Sequence, residues 1–98
     1  MAVLQFTELA ILDLDQIFDR IAKDSLETAY QFTDELRDTC KALAEMPLMG
    51  RKRDELRAGV RSLAHHGYTI LYQEIEGGVL VERVASPGRN VGEMFEQQ

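Results

Sequence analysis

The feature that most limits what this chain can fold into is a change of apolar period part-way along it. Ile11, Leu14, Ile17, Phe18 and Ile21 recur every three or four positions, the spacing that places side chains on one face of a helix. Thr7 stands just before them as a cap, its hydroxyl able to accept from a backbone N–H that has no helical partner. The spacing predicts a helix over about 8–23, with Asp13, Asp15, Asp19 and Arg20 mostly on the faces toward water. Ser25 caps a second helix and Glu27 sits near its positive end. There Ala29, Phe32, Leu36, Cys40 and Leu43 repeat at the same intervals, until Pro47 stops the helix and Gly50 releases the chain into a loop. Two amphipathic helices joined this closely form an antiparallel hairpin, about 8–45.

Beyond the hairpin the signal turns to strands. The polar stretch RKRDELRAG, 51–59, reads as a loop with one helical turn at Asp54–Arg57. Val60–Ala64, Tyr68–Ile75 and Val79–Ala85 then read as strands. Gly67 separates the first two, and Gly77-Gly78 makes a tight hairpin between the others. Tyr68, Ile70 and Tyr72 alternate with Thr69, Leu71 and Gln73, so both faces of the middle strand need cover. The helices cover one face; the tail, about 90–96 and anchored by Met94 and Phe95, or a partner must cover much of the other. With Val3, Leu4 and Phe6 as a short opening strand, the expected fold is α+β: strand, helix, helix, then three strands of an antiparallel sheet under a helical hairpin. One domain, 1–98, holds the hairpin, a sheet at about 60–85 and a short tail at 86–98.

Composition agrees with one domain. At 98 residues and 45% hydrophobic, a chain buries roughly 60–70% of its unfolded surface, enough for one core without disulfides. The single cysteine, Cys40, permits no internal disulfide and offers no metal-ligand spacing. No apolar run is long enough to span a membrane and no signal peptide opens the chain, so a cytoplasmic location is expected. The net charge of −6 speaks against general affinity for nucleic acid. Its distribution says more: 46–61 carries five bases and two acids, while the segments on either side are acidic. One basic segment inside an acidic molecule points to an acidic partner.

The residues able to carry chemistry are few. Arg51, Lys52, Arg53, Arg57 and Arg61 are either a solvated loop balancing Asp54 and Glu55 or an acceptor for a partner's carboxylates, which arginine grips at two points. Arg83, inside the apolar strand VLVERVA, needs a partner because a lone buried charge is costly; a helix acid such as Asp13 or an external surface meets that need. His65, His66, Tyr68, Tyr72 and Arg83 are the residue types a ribonuclease uses, but Tyr68 and Tyr72 share a face with Ile70, where packing is the expected role. The two histidines, at a turn, face opposite ways if extended. Cys40 is a small hydrophobe on the second helix. Asp13, Asp15 and Asp19 spread around the first helix, so neither a metal nor a cofactor is expected.

Four stretches in order carry a family likeness: AILDLDQIFDRIA (10–22), CKALAEMPLMGRKRDELRAGVRSL (40–63), GYTILYQEIEGGVLVERV (67–84), and Arg89-Asn90 following Arg83-Val84. Together they resemble the ParE branch of the RelE/ParE toxin superfamily of bacterial toxin–antitoxin systems. The resemblance implies a plasmid-stabilisation toxin held inactive by a ParD-like antitoxin as a hetero-oligomer, acting without enzymatic chemistry on DNA gyrase. Neither membrane nor direct nucleic-acid contact is then expected. It implies antitoxin or target contacts at Arg51, Arg53, Arg57, Arg61, Arg83 and Arg89. RelE-like relatives cut messenger RNA on the ribosome with basic residues and a tyrosine or histidine, for which His66, Tyr68 and Arg83 are the weak candidates here. The alternatives are that endoribonuclease activity, or an inactive paralogue that keeps only its antitoxin.

Overall fold

The computed structural model describes residues 2–96. Along the chain lie β1 (Val3–Phe6), α1 (Glu8–Ala22), α2 (Leu26–Glu45), β2 (Arg51–Lys52), β3 (Val60–His65), β4 (Tyr68–Ile75), β5 (Gly78–Ala85) and α3 (Val91–Glu96). The caps fall where the sequence places them. Thr7 Oγ1 accepts from Ala10 N at 3.0 Å and also donates to the Glu82 carbonyl at 2.6 Å, fastening the start of α1 to the sheet. Ser25 Oγ accepts from Thr28 N at 3.2 Å. The tail's last two positions, 97 and 98, lie outside the described residues.

The five strands run in the order β1-β5-β4-β3-β2. β2, β3, β4 and β5 pair antiparallel, but β1 joins β5 in parallel. The sheet is therefore mixed rather than purely antiparallel. Four residues of β1 carry no signal of direction, and their place depends on a single glycine: a Cβ on Gly78 would stand 1.8 Å from the Val3 carbonyl oxygen. β2 was not expected either. Arg51 and Lys52 pair with Ser62 and Arg61, and a two-residue polar strand has no apolar alternation to announce it. The turn expected at Asp54–Arg57 does form, with Leu56 N donating to the Arg53 carbonyl at 2.9 Å.

Leu14, Ile17, Leu36, Cys40 and Leu43 pack with Ile70, Tyr72, Val79, Val81 and Val84 to form the core between hairpin and sheet. Each large side chain fully buried there contributes roughly 1.5–3 kcal/mol. Two expectations for α1 fail. Ile11 is 49% exposed although it shares the apolar spacing, and Asp13 is buried rather than solvated. The reason for the second lies at the sheet edge. β1 pairs with β5 only as far as Val81, so α1 passes beside an unpaired stretch of β5 and Asp13 supplies the missing acceptor.

On the other face, Val60, Leu71, Ala85 and Met94 are also buried without belonging to the core under the helices. The tail provides that cover. Met94 of α3 is 1% exposed and its carbonyl accepts from Arg83 Nη1 at 3.1 Å. Phe95 lies 5.4 Å from the Arg57 guanidinium, which stacks over its ring. A register shift between Leu71 and Tyr72 leaves Glu82 as the extra residue on β5.

Candidate functional site

α2 ends before Pro47, and the connection to β2 is held rigidly although most of it faces water. Tyr72, fully buried on β4, donates its hydroxyl to the Pro47 carbonyl at 2.7 Å and accepts from Gly50 N at 2.8 Å. Arg61 Nη1 donates to the Gly50 carbonyl at 2.8 Å. On this brace stand Met46, Leu48 and Met49, 61%, 64% and 44% exposed, around an open depression of about 420 Å³. Burial pushes the Tyr72 hydroxyl pKa up, so it stays a donor at neutral pH.

β2 follows at once, and its outer side pairs with no strand among the described residues. Arg51 and Lys52 are exposed there. Beside them a second depression, about 430 Å³, is lined by Met49, Arg51, Arg53, Ser62, Ala64 and Thr69, among others. A rigid apolar ledge thus abuts a basic strand edge.

The six expected contact residues divide. Arg51 is exposed at the ledge, and Arg61 braces it from below. Arg53 donates from Nε to Glu55 at 2.7 Å and from Nη1 to Ser62 Oγ at 3.3 Å; its bond holds the Glu55 carboxyl below the usual range. Arg57 pairs with the buried Glu82, and this carboxylate raises the guanidinium pKa further. Arg83 is internal. Its Nε and Nη2 donate to Asp13 at 2.8 and 3.0 Å, the pair expected with a helix acid, and Asp13 raises its pKa too. Arg89 stands apart, lining a depression of about 310 Å³ against α1 with Asp19, Arg20 and Ser86.

The ribonuclease candidates His66, Tyr68 and Arg83 do not converge. Tyr68 packs on Phe32 of α2, ring centroids 4.8 Å apart. Arg83 lies opposite Leu71 in the register, so it projects from the other side of the sheet. The histidines depart from expectation in another way. His66 adopts φ 48°, so the two rings meet edge to face at 4.6 Å instead of facing opposite ways. Burial lowers the His65 pKa most, with help from the neighbouring His66, and it pushes the Cys40 thiol up to about 11.

Read only as a helix stop, Pro47 gives no sign of the ledge. The available signal was MPLM itself: three large apolar residues crowded about a proline, off the period of the preceding helix.

No helix among the described residues is long and apolar enough to cross a membrane. No curated protein sequence matches the chain. Among solved structures, the fold is similar to a chain of the chromosomal ParDE toxin–antitoxin system from P. aeruginosa, with a TM-score of 0.74 and 22% identity over 89% of this chain and 97% of that one. It is also similar to a chain of the toxin–antitoxin complex RelBE2 from Mycobacterium tuberculosis, with a TM-score of 0.54 and 27% identity over 87% and 96%. The family model of the ParE toxin of type II toxin–antitoxin systems, parDE, matches residues 4–91. The chain therefore belongs to the ParE toxin family.

Proposed function

We propose that this protein is the toxin of a type II pair, that a ParD-like antitoxin neutralises it at the ledge, and that its cellular target is DNA gyrase. The observation that carries the antitoxin reading is the juxtaposition of exposed Met46, Leu48 and Met49 with Arg51 and Lys52 on a free strand edge. An acidic amphipathic segment matches that surface: apolar side chains settle on the braced ledge, and carboxylates meet the two cations. Both structural relatives come from toxin–antitoxin systems. The gyrase reading is favoured over messenger cleavage because His66, Tyr68 and Arg83 are not gathered into one site.

Two experiments test this. Leu48→Asp, and separately Arg51→Glu with Lys52→Glu, are expected to weaken binding of the cognate antitoxin at least ~30-fold by calorimetry, the scale of losing one central contact. Unchanged affinity in both variants would remove the ledge from the interface. For the target, induced expression is expected to stop replication and trigger a DNA-damage response, and the purified protein to inhibit supercoiling by gyrase. Rapid messenger cleavage with replication intact would favour the endoribonuclease reading. Antitoxin binding with no growth arrest would favour an inactive paralogue.

A further inference from the structure

We propose that Glu35, His65 and His66 form a binding site for a divalent transition metal, zinc by ligand chemistry, which ties the β3–β4 turn to α2. One ligand atom from each residue lies within 4.8 Å of the other two. The inference is independent of the toxin reading, and three features of the turn support it.

The first is backbone conformation. His66 is the sole non-glycine residue with positive φ among the described residues, a conformation that costs a side-chain-bearing residue about 1 kcal/mol or more. Gly67 also has positive φ, 83°, so the two make a two-residue hairpin turn that needs positive φ at both positions, and a histidine fills the first. Its effect is to bring the second imidazole beside the first.

The second is an unmet buried atom. His65 Nε2 is the one buried side-chain nitrogen or oxygen without a hydrogen-bond partner among the described residues. Such atoms are rare, because a lost hydrogen bond in the interior is costly.

The third is the tautomer. Thr39 Oγ1 lies 3.2 Å from the Glu35 carbonyl and 3.1 Å from His65 Nδ1. With the hydroxyl proton on the Glu35 carbonyl, Nδ1 donates to Thr39 and Nε2 presents a bare lone pair. A histidine ligand is normally oriented in this way, its second nitrogen donating to an outer partner.

Two imidazoles and a carboxylate are a donor set that zinc accepts in tetrahedral sites with a water in the fourth position. Nitrogen donors disfavour calcium and magnesium. At the usual bond lengths tetrahedral ligand atoms stand about 3.3 Å apart. Glu35 and His66 are exposed, so their side chains have room to turn toward a shared ion. The bound metal would fasten the far end of the β3–β4 hairpin to α2, next to the Phe32–Tyr68 contact.

The test uses the full chain, stripped of metal and titrated with Zn²⁺ by calorimetry and with Co²⁺ by visible absorption. One ion per chain is expected, with a dissociation constant of ~10 µM or tighter, and Co²⁺ should give the intense d–d bands of a four-coordinate site. Glu35→Gln and His66→Gly should each weaken Zn²⁺ binding at least ~30-fold. His66→Gly relieves the strained φ, so the metal-free Tm should hold or rise, which separates ligand loss from misfolding. Cys40→Ala should bind as the wild type does. The proposal is overturned if the wild type binds no Zn²⁺ at about 100 µM, or if Glu35→Gln and His66→Gly bind it unchanged.

Discussion

Replacing Asp13 with alanine is expected to be the most damaging single change at any ionisable residue in this protein. Its carboxylate accepts from Arg83 Nε at 2.8 Å, Arg83 Nη2 at 3.0 Å and Val84 N at 2.9 Å, and both side chains of the pair are 6% exposed. Asp13→Ala leaves a guanidinium buried with only the Met94 carbonyl, 3.1 Å away. Arginine cannot shed its proton to escape that position. Removing one partner of a buried pair costs ~3–5 kcal/mol, against a total stability of ~5–15 kcal/mol for a domain of this size. The Val84 N–H also loses its acceptor, a loss of ~1–3 kcal/mol if no water replaces it. A Tm decrease of at least ~12 °C follows.

The discriminating variant is Asp13→Ala with Arg83→Met. Removing the stranded cation should recover at least ~1.5 kcal/mol relative to Asp13→Ala alone, because an apolar replacement of a whole pair is often close to neutral. Urea unfolding followed by far-UV circular dichroism measures these two variants and Arg83→Met alone, with m unchanged if only the native state is affected. An Asp13→Ala cost under about 1 kcal/mol, or a double variant equal to the sum of its singles, would falsify the view that this pair bears on the fold rather than on a partner.

Other expected outcomes follow from single contacts. Tyr72→Phe leaves both the Pro47 carbonyl and the Gly50 N–H without their partner, so stability should fall by ~2 kcal/mol and amides at 48–50 should exchange faster; unaltered exchange would show that Tyr72 does not brace the ledge. Gly78→Ala drives a Cβ into the Val3 backbone, so hydrogen exchange should show β1 losing protection while β3 and β4 keep theirs. Cys40 should resist thiol reagents at pH 8 until the chain unfolds, since burial raises its pKa from 9.0 to about 11. The sign for stability follows: above pH 9 the unfolded chain releases this proton and the native chain keeps it, so stability falls between about pH 9 and 11. Cys40→Ala should lack that component of the fall, and identical pH profiles for the two proteins would show that the thiol is not the group responsible.

Much of this architecture was legible from local pattern. The spacing of Leu14, Ile17, Leu36, Cys40 and Leu43 predicts the helical hairpin, Thr7 and Ser25 mark its starts, and Gly77-Gly78 marks the β4–β5 turn. These signals are read within a few residues of one another, because caps, turns and periodicity are properties of contiguous backbone. Arg83 was legible in a weaker sense: its place in an apolar strand demanded a partner, and Asp13 was a candidate.

The rest was set by contacts between residues far apart in the chain. Ile11 and Asp13 follow the same helical geometry, yet one is exposed and the other buried, since only the end of β1 determines where β5 lacks a neighbour. The loop arginines look alike in sequence, but Arg53 and Arg57 are paired while Arg51 faces water, because Glu55, Ser62 and Glu82 happen to lie within reach of the first two. The ledge and the Glu35–His65–His66 group share this character. Each is made by bringing a helix against a distant strand or turn, and no periodicity along the chain encodes which side chains then meet. Sequence alone determined the helical hairpin, the strands other than β2 and their order along the chain; tertiary packing decided which charges remain free, because burial and pairing are properties of neighbours in space.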